Sequence, residues 1–287
     1  MKVLVLGGGQ IAKAVGAAVP GQHQVVTRTH AELDIVDEHA VGRALSEVKA
    51  DWVVNAAAFT AVDLAEDQPA LAHAVNAAAV ASLVRVSAQE GCRLLHLSTD
   101  FVFDGNTNRA YLPTDKPMPL SVYGTSKLAG ERHVLDAGHS GIVLRTSWVY
   151  AAVGKNFVLT MLRLMREKDC VNVVADQIGA PTWAASAAAA IWALIGTATK
   201  GGIYHWTDLG VASWYDFAVA IQDEALAKGL LTRNIPITPI PSASYPARAR
   251  RPAFSVLDTA STRALIDVPV QHWRHNLRTM LDELRTG

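Results

Sequence analysis

The chain has 287 residues, half of them apolar, enough to bury one large core or a core with a smaller lobe. Its 26 lysines and arginines balance 26 aspartates and glutamates, so no net field draws in a polyanion, and nucleic acid is not expected as a partner. Cys92 and Cys170 stand far apart without metal-ligand spacing, which fits a reducing compartment, points to the cytoplasm and argues against a disulfide framework or a zinc site.

The first apolar run, Val3 to Leu6, stops at Gly7-Gly8-Gly9. It is far short of the ~20 residues of a membrane span and has no small-residue cleavage site, so it reads as a strand. A helix follows from Ile11 to Val19, stopped by Pro20-Gly21. Gly7, Gly9 and Ala12 fit the form G-x-G-x-x-A. The first glycine permits the tight turn, the second lets a pyrophosphate approach N–H groups at the helix N-terminus, and the small third residue lets helix and strand pack closely. Gln10 and Ile11 fall in the same cofactor turn. A glycine-rich strand end also serves as a plain tight turn; what favours cofactor binding is that this one opens the first βαβ unit.

The second strand, Gln24 to Thr27, is followed by Arg28 and carries no carboxylate at its end to grip an adenosine 2′-hydroxyl. A guanidinium there can pair with a 2′-phosphate, which favours NADP(H) and leaves NAD(H) open, against the plainer reading of a solvated arginine. Asp34 and Ile35 follow at a distance where they could flank the adenine. Further strands are expected at Trp52 to Asn55, Arg93 to Ser98 and Ile142 to Arg145, with helices at Glu38 to Val48, Pro69 to Glu90 and Val122 to Leu135. Apolar runs without alternation belong to strands covered on both faces, so the expected class is α/β, a doubly wound, Rossmann-like parallel sheet.

The fourth strand, Leu95-His96-Leu97-Ser98-Thr99-Asp100, delivers hydroxyls to the carboxyl edge of that sheet, where such folds bind ligands. Tyr123 and Lys127 share one face of a helix at i, i+4 spacing. A cation beside a phenol lowers its pKa from ~10 toward the working pH, which makes Tyr123 an expected proton donor and acceptor. Thr99 can then hydrogen-bond a substrate carbonyl. A buried strand-end threonine often only satisfies backbone groups, and the Tyr123 and Lys127 pair is what favours a catalytic role.

Beyond Tyr150 the alternation breaks down into a helix from Phe157 to Glu167, a strand from Val171 to Val174, a proline-rich stretch from Pro236 to Pro252 and a last helix from Val270 to Leu284. Met161 and Met165 have the helical spacing of core residues. The expected division is a dinucleotide-binding domain over 1–152 and a smaller C-terminal substrate-binding lobe over 153–287. The alanine-rich helix at 183–197, too short to span a membrane, packs back on the first domain.

Several stretches together carry a resemblance: Asn55-Ala56-Ala57-Ala58-Phe59-Thr60-Ala61-Val62-Asp63, Ser98-Thr99-Asp100-Phe101-Val102-Phe103-Asp104-Gly105, Tyr123-Gly124-Thr125-Ser126-Lys127, Arg145-Thr146-Ser147-Trp148-Val149-Tyr150, Asp176-Gln177-Ile178-Gly179-Ala180-Pro181-Thr182 and Ala249-Arg250-Arg251-Pro252. The chain resembles the extended short-chain dehydrogenase/reductases, and within them the dTDP-4-dehydrorhamnose reductases. The resemblance implies reduction of the C4 ketone of a dTDP-linked 6-deoxyhexose to dTDP-L-rhamnose for polysaccharide biosynthesis. In it Tyr123 protonates the alkoxide, Lys127 holds the nicotinamide ribose and biases Tyr123, Thr99 polarises the carbonyl, and Ala56, Ala57 and Ala58 bring backbone close to the cofactor. The implied substrate positions are Thr60, Val62, Asp100, Trp148, Asn156, Phe157, Gln177 and Arg251.

Two of these have a physical rationale of their own. A sugar diphosphate needs cations, and Arg248, Arg250 and Arg251 supply them on a proline-stiffened loop, against the alternative of a solvated basic loop. Trp148 can pack on the apolar face of a sugar or fill the core between lobes, and the sequence leaves both open. Phe101 and Phe59 stand where relatives carry polar rings, which leaves the hexose open. Relatives that dimerise around a metal carry glutamates where this chain has Lys13-Ala14 and Trp183-Ala184, so the expected state is a monomer or a metal-independent homodimer. Sugar-nucleotide 4,6-dehydratases follow the threonine with Asp-Glu, whereas here Asp100 precedes Phe101. An epimerase or reductase acting on another nucleotide-linked deoxysugar, and a non-catalytic NADP-binding regulatory subunit, are the alternatives.

Overall fold

The structure, a computed structural model, describes residues 1–286 apart from 22, 137, 139, 140, 198 and 199. In chain order the strands are β1 (Lys2–Leu6), β2 (Gln24–Arg28), β3 (Trp52–Asn55), β4 (Arg93–Thr99), β5 (Gly141–Thr146), β6 (Val149–Tyr150), β7 (Val171–Val174), β8 (Ile178–Gly179), β9 (Thr182–Trp183), β10 (Gly202–His205), β11 (Ala212–Ser213) and β12 (Ile237–Ile240). The helices are α1 (Gln10–Ala17), α2 (Glu38–Val48), α3 (Val62–Asp67), α4 (Pro69–His73), α5 (Ala79–Gln89), α6 (Val122–Asp136), α7 (Phe157–Glu167), α8 (Ala184–Gly196), α9 (Trp214–Ala227), α10 (Ala260–Leu265) and α11 (Trp273–Thr286).

Six parallel strands form the main sheet in the order β10-β5-β4-β3-β1-β2. Side chains alternate across it by the period of two that a strand imposes. Val3, Val5, Val54, Leu95 and Leu144 face α1 and α8, while Leu4, Leu6, Val53, Leu94 and Val143 face the layer of α2 and α5. Both faces are covered, which is why these strands are apolar without interruption. From β1 the chain winds outward to β2 and then back across to β3. The reversal opens a crevice at the carboxyl ends of β1 and β3, where doubly wound sheets bind ligands.

The sequence reading contains no strand at β10. Gly202–His205 has only four residues, of which only His205 is fully buried, so it offers little apolar signal; its pairing with β5 comes from tertiary placement. The helix expected from Pro69 to Glu90 runs instead as α4, a π turn at Ala74–Ala78 and α5. The turn directs the Asn76 carbonyl at α6, where a Cβ on Gly130 would lie 2.2 Å from it. By length and composition alone Pro69–Gln89 could cross a membrane, the one such helix among the described residues. Here α5 packs on α2 and α6.

A second core gathers Met161 and Met165 of α7, Phe217 and Ile221 of α9, and Leu277 and Met280 of α11. Within the proline-rich stretch, Ile237–Ile240 pairs in parallel with β7. Pro239 is tolerated there because β12 is an edge strand. α8 returns to the first core, where the Trp192 indole donates to Val15 O at 3.1 Å.

Candidate active site

At the end of β1, Gly7 adopts φ +119°, and a Cβ there would lie 2.9 Å from the backbone of Ala56 and Ala57. Glycine is thus required where the loops after β1 and β3 touch. Gly9 caps α1 in extended conformation, with no side chain bonding the first turn, and a Cβ on it would meet no atom within 4 Å. The N–H groups at the start of α1 therefore remain open to an anion from the crevice side. Gln10 is tied to the residue that caps α7: Asn156 Nδ2 donates to its Oε1 at 2.9 Å.

A crevice of about 630 Å³ runs from this turn across the sheet edge. Gly9, Gln10, Ile11, Ala56, Ala57, Ala58, Thr60, Val62, Thr99, Asp100, Tyr123, Lys127 and Trp148 all line it. A second cavity of about 670 Å³ contains Phe157, Gln177 and Arg251, and Trp214 lines both. Trp148 stacks on Trp214 with ring centroids 3.5 Å apart, and Gly179 leaves the room for its indole, which a Cβ would approach to 2.5 Å. Its backbone is left-handed, at φ 47°. Trp148 therefore both packs on the second core and walls the crevice.

Four expected positions stand elsewhere. Ile35 is buried in the core with Leu33, Val41 and Leu45, because alternation in this turn points it inward. Asp34 is exposed, and its Oδ1 accepts the Val36 N–H at 3.0 Å, closing a local turn. Arg28, at the end of β2, reaches only the Thr27 carbonyl at 3.4 Å and does not line the crevice. Asn156 caps α7, accepting from Leu159 N at 3.0 Å, and its amide nitrogen is taken by Gln10 and Ala151 O. Its polar groups are thus engaged in holding the loop.

The catalytic candidates converge. Ser121 accepts the Gly124 N–H at 3.2 Å and starts α6. Gly124 lets that helix press on the Phe101 carbonyl, which a Cβ would approach to 2.2 Å. Tyr123 is thereby brought beside Thr99, whose hydroxyl draws the phenol down while burial, the larger effect, pushes it up to about 12. The expected lowering by Lys127 is not present. The amine instead donates to Leu97 O at 2.7 Å and lies 3.1 Å from His96 Nε2. Burial of that amine lowers its pKa to about 8, with Glu131 opposing. Thr99 Oγ1 donates to Asp100 Oδ1 at 3.1 Å, and burial raises the Asp100 carboxyl to about 6.

Arg251 is also engaged, forking onto Asp63 of α3, and Arg248 pairs with Asp67. Arg250 makes no ion pair among the described residues. Sequence reasoning missed Asn55, His96, Glu131 and Asp63. A histidine within Leu94-Leu95-His96-Leu97, and a glutamate one turn after Lys127, were the available signals.

A Rossmann-like sheet whose carboxyl edge brings a glycine turn together with a Tyr-x-x-x-Lys helix defines the NAD(P)-dependent oxidoreductases of the short-chain dehydrogenase/reductase class. A family model described as the RmlD substrate binding domain matches residues 1–286. A dTDP-4-dehydrorhamnose reductase of Burkholderia thailandensis is 40% identical over 286 residues, covering 96% of each chain. One of Aggregatibacter actinomycetemcomitans is 38% identical over 288 residues, covering 97% of this chain and 98% of that one. Among solved structures, the dTDP-4-dehydrorhamnose reductase of Bacillus anthracis in complex with NADP is 32% identical, with TM-score 0.92 and coverage of 98% and 99%. The chain belongs to the dTDP-4-dehydrorhamnose reductase family. A UDP-glucose 4-epimerase of Thermus thermophilus in complex with NAD, at 20% identity, TM-score 0.83 and 99% coverage of both chains, shares the fold.

Proposed function

We propose that the protein reduces the C4 ketone of dTDP-4-dehydro-6-deoxy-L-mannose to dTDP-L-rhamnose with NADPH. The observation that carries this reading is the placement of Thr99, Tyr123 and Lys127 in one crevice with the open N-terminus of α1, in a member of this family. The residues fit a dinucleotide: Gly7 permits the close approach of two loops, Gly9 leaves space, and Ala56, Ala57 and Ala58 present backbone. Arg28 is assigned to the 2′-phosphate, with Gln10 and Ile11 beside the pyrophosphate.

The reduced nicotinamide supplies a hydride to C4. Tyr123, held protonated by burial, gives its proton to the oxygen that becomes the C4 hydroxyl, and Thr99 orients that oxygen by hydrogen bonding. Such a positioned donor contributes ~10² to 10⁴ in rate. Lys127 is assigned to the ribose. Arg251 and Arg250 serve the diphosphate end in the second cavity, with Gln177 and Phe157. In this reading residues 1–152, with α8 and β10 returning to them, form the dinucleotide domain and the remainder holds the sugar nucleotide. The protein works in the cytoplasm, as a monomer or a dimer without bridging metal.

The test is to mix the purified protein with NADPH and the keto sugar nucleotide and follow nicotinamide absorbance and product by mass. Consumption of both with formation of dTDP-L-rhamnose is expected. Binding of NADPH without consumption overturns the reading and leaves a cofactor-binding subunit.

A further inference from the structure

Behind the crevice a buried row of polar groups runs across β3 and β4 to α6: Asn55, His96 and Lys127 are all nearly or fully inaccessible. Ala57 N donates to Asn55 Oδ1 at 3.1 Å, which sets the orientation of the amide. Asn55 Nδ2 then faces His96 Nδ1 at 3.0 Å and donates to it. A neutral imidazole that accepts at Nδ1 carries its proton on Nε2. That N–H points at Lys127 Nζ, 3.1 Å away, so the amine is the acceptor and has a free lone pair. Leu97 O takes one of its protons. An ammonium in the same place would set two donors face to face.

We propose that Ala57, Asn55 and His96 form a hydrogen-bond relay that couples the charge on Lys127 to the backbone of the cofactor loop. With Ala57 N–H on Asn55, the imidazole is in its Nε2–H form and Lys127 is a neutral amine. The ammonium requires the Nδ1–H form, which needs Asn55 Oδ1 as its acceptor, so the amide turns over and Ala57 N–H is released. The change takes up one proton: Nζ gains it as Nε2 gives up its own, and Nδ1 is protonated from solvent in exchange. A cation at Lys127 and a free N–H in the loop after β3 thus arise together, and both suit an anionic cofactor.

The charged groups facing Lys127 agree with this. On its own helix Glu131 opposes the loss of charge, but Arg145 of β5 holds that carboxylate at 2.6 Å and Ser98 of β4 donates to it at 2.5 Å. Tyr123, one turn before, is neutral. β4 contributes His96, whose pKa burial first and Lys127 second hold far below the ordinary range, so the ring switches tautomer without becoming charged. β3 contributes only the neutral Asn55. Burial already brings Lys127 to about 8, within reach of a change in one hydrogen bond.

This inference rests on Lys127 belonging to the proposed cofactor site, but it is tested without turnover. The free protein, labelled with ¹⁵N-histidine and ¹³Cε-lysine, is titrated by NMR from about pH 6 to about pH 10, spanning the neutral and charged forms of the amine. His96 is expected as Nε2–H where Lys127 is neutral and as Nδ1–H where it is charged. One tautomer throughout the lysine titration overturns the relay and leaves the reductase reading intact. Asn55→Asp keeps an acceptor for Ala57 but cannot donate to Nδ1. It is expected to lock Nδ1–H, to raise the Lys127 midpoint by about one pH unit, a tenfold change in proton affinity, and to move the pH at which NADPH affinity falls by the same amount. The same shift in Asn55→Asp/His96→Leu would show charge acting without the ring and overturn the proposal. If Asn55→Asp does not fold, the wild-type titration decides alone.

Discussion

Arg251 forks onto Asp63, with Nη2 and Nη1 at 2.7 and 3.2 Å from its two oxygens, and so ties the proline-stiffened loop after β12 to α3. Asp63 also accepts the backbone N–H groups of Arg248 and Ala249, both at 3.1 Å. The bond from Arg251 is the main cause that holds its carboxyl below the usual range. A depressed carboxylate pKa contributes stability above the unfolded value that is lost as pH falls through the folded one. The pair is partly exposed, so Asp63→Asn is expected to cost no more than about 1 kcal/mol in urea unfolding at pH 7. Arg251→Ala should raise KM for the sugar nucleotide tenfold or more with NADPH affinity unchanged, and Arg251→Lys should recover little, because a point charge cannot replace the fork. An unchanged KM would remove Arg251 from the substrate site.

Tyr123→Phe is expected to lower kcat by ~10² to 10⁴ while the NADPH dissociation constant, read by fluorescence, stays within about twofold. The ring remains, so its edge-on packing with Phe101 at 5.6 Å is kept. Equal turnover would end its role as proton donor.

The Arg28 side chain makes one long hydrogen bond, to the Thr27 carbonyl, and its charge acts on the exposed Glu32; in the proposed reading it turns to the 2′-phosphate. Steady-state kinetics of Arg28→Ala should show KM for NADPH raised about tenfold, the value of one charge-assisted contact, with KM for NADH little changed. A parallel rise for both would assign the residue to local structure.

Glu131 of α6 and Arg145 of β5 form an ion pair, each side chain 1% exposed, between helix and sheet. Glu131→Gln leaves Arg145 charged and buried, so urea unfolding should show a loss of about 3 to 5 kcal/mol, whereas a double replacement by apolar residues of similar volume should lose much less. Equal losses in the two would show that the pairing is not what the single variant disturbs.

Burial raises Asp100 to about 6 in the folded chain from a reference of 3.8. The native state then binds more protons than the unfolded one between those values, so this group's contribution falls as pH rises through that window. Asp100→Asn should therefore be the more stable protein at pH 7, by up to about 3 kcal/mol, with the advantage shrinking toward pH 4. A difference that is flat with pH would contradict the raised value.

The five strands of the first half and the glycine turn were legible because burial on both faces leaves uninterrupted apolar runs, and because a tight turn after a strand selects glycine. Tyr123 and Lys127 were legible through helical periodicity. Three cofactor or substrate positions lie away from both cavities for reasons periodicity does not report: Asp34 and Ile35 fall in a turn that closes on itself or points inward, and Asn156 is engaged as a helix cap. β10 was invisible because three half-buried residues and one buried histidine become a strand only when β5 offers them an edge.

Local physics alone determined the five strands of the first half, the glycine turn after the first of them, and that a phenol and an amine share one helix face. Those properties depend on residues a few positions apart. The state of the amine was decided elsewhere: Lys127 faces His96 and Leu97 O, not the phenol, because β4 lies under α6 and buries it there. The engagement of Arg251 by Asp63 joins residues 188 positions apart. Charge and hydrogen-bond partners in a buried site are set by what the folded chain brings within about 3 Å, and neighbours in sequence carry no record of that.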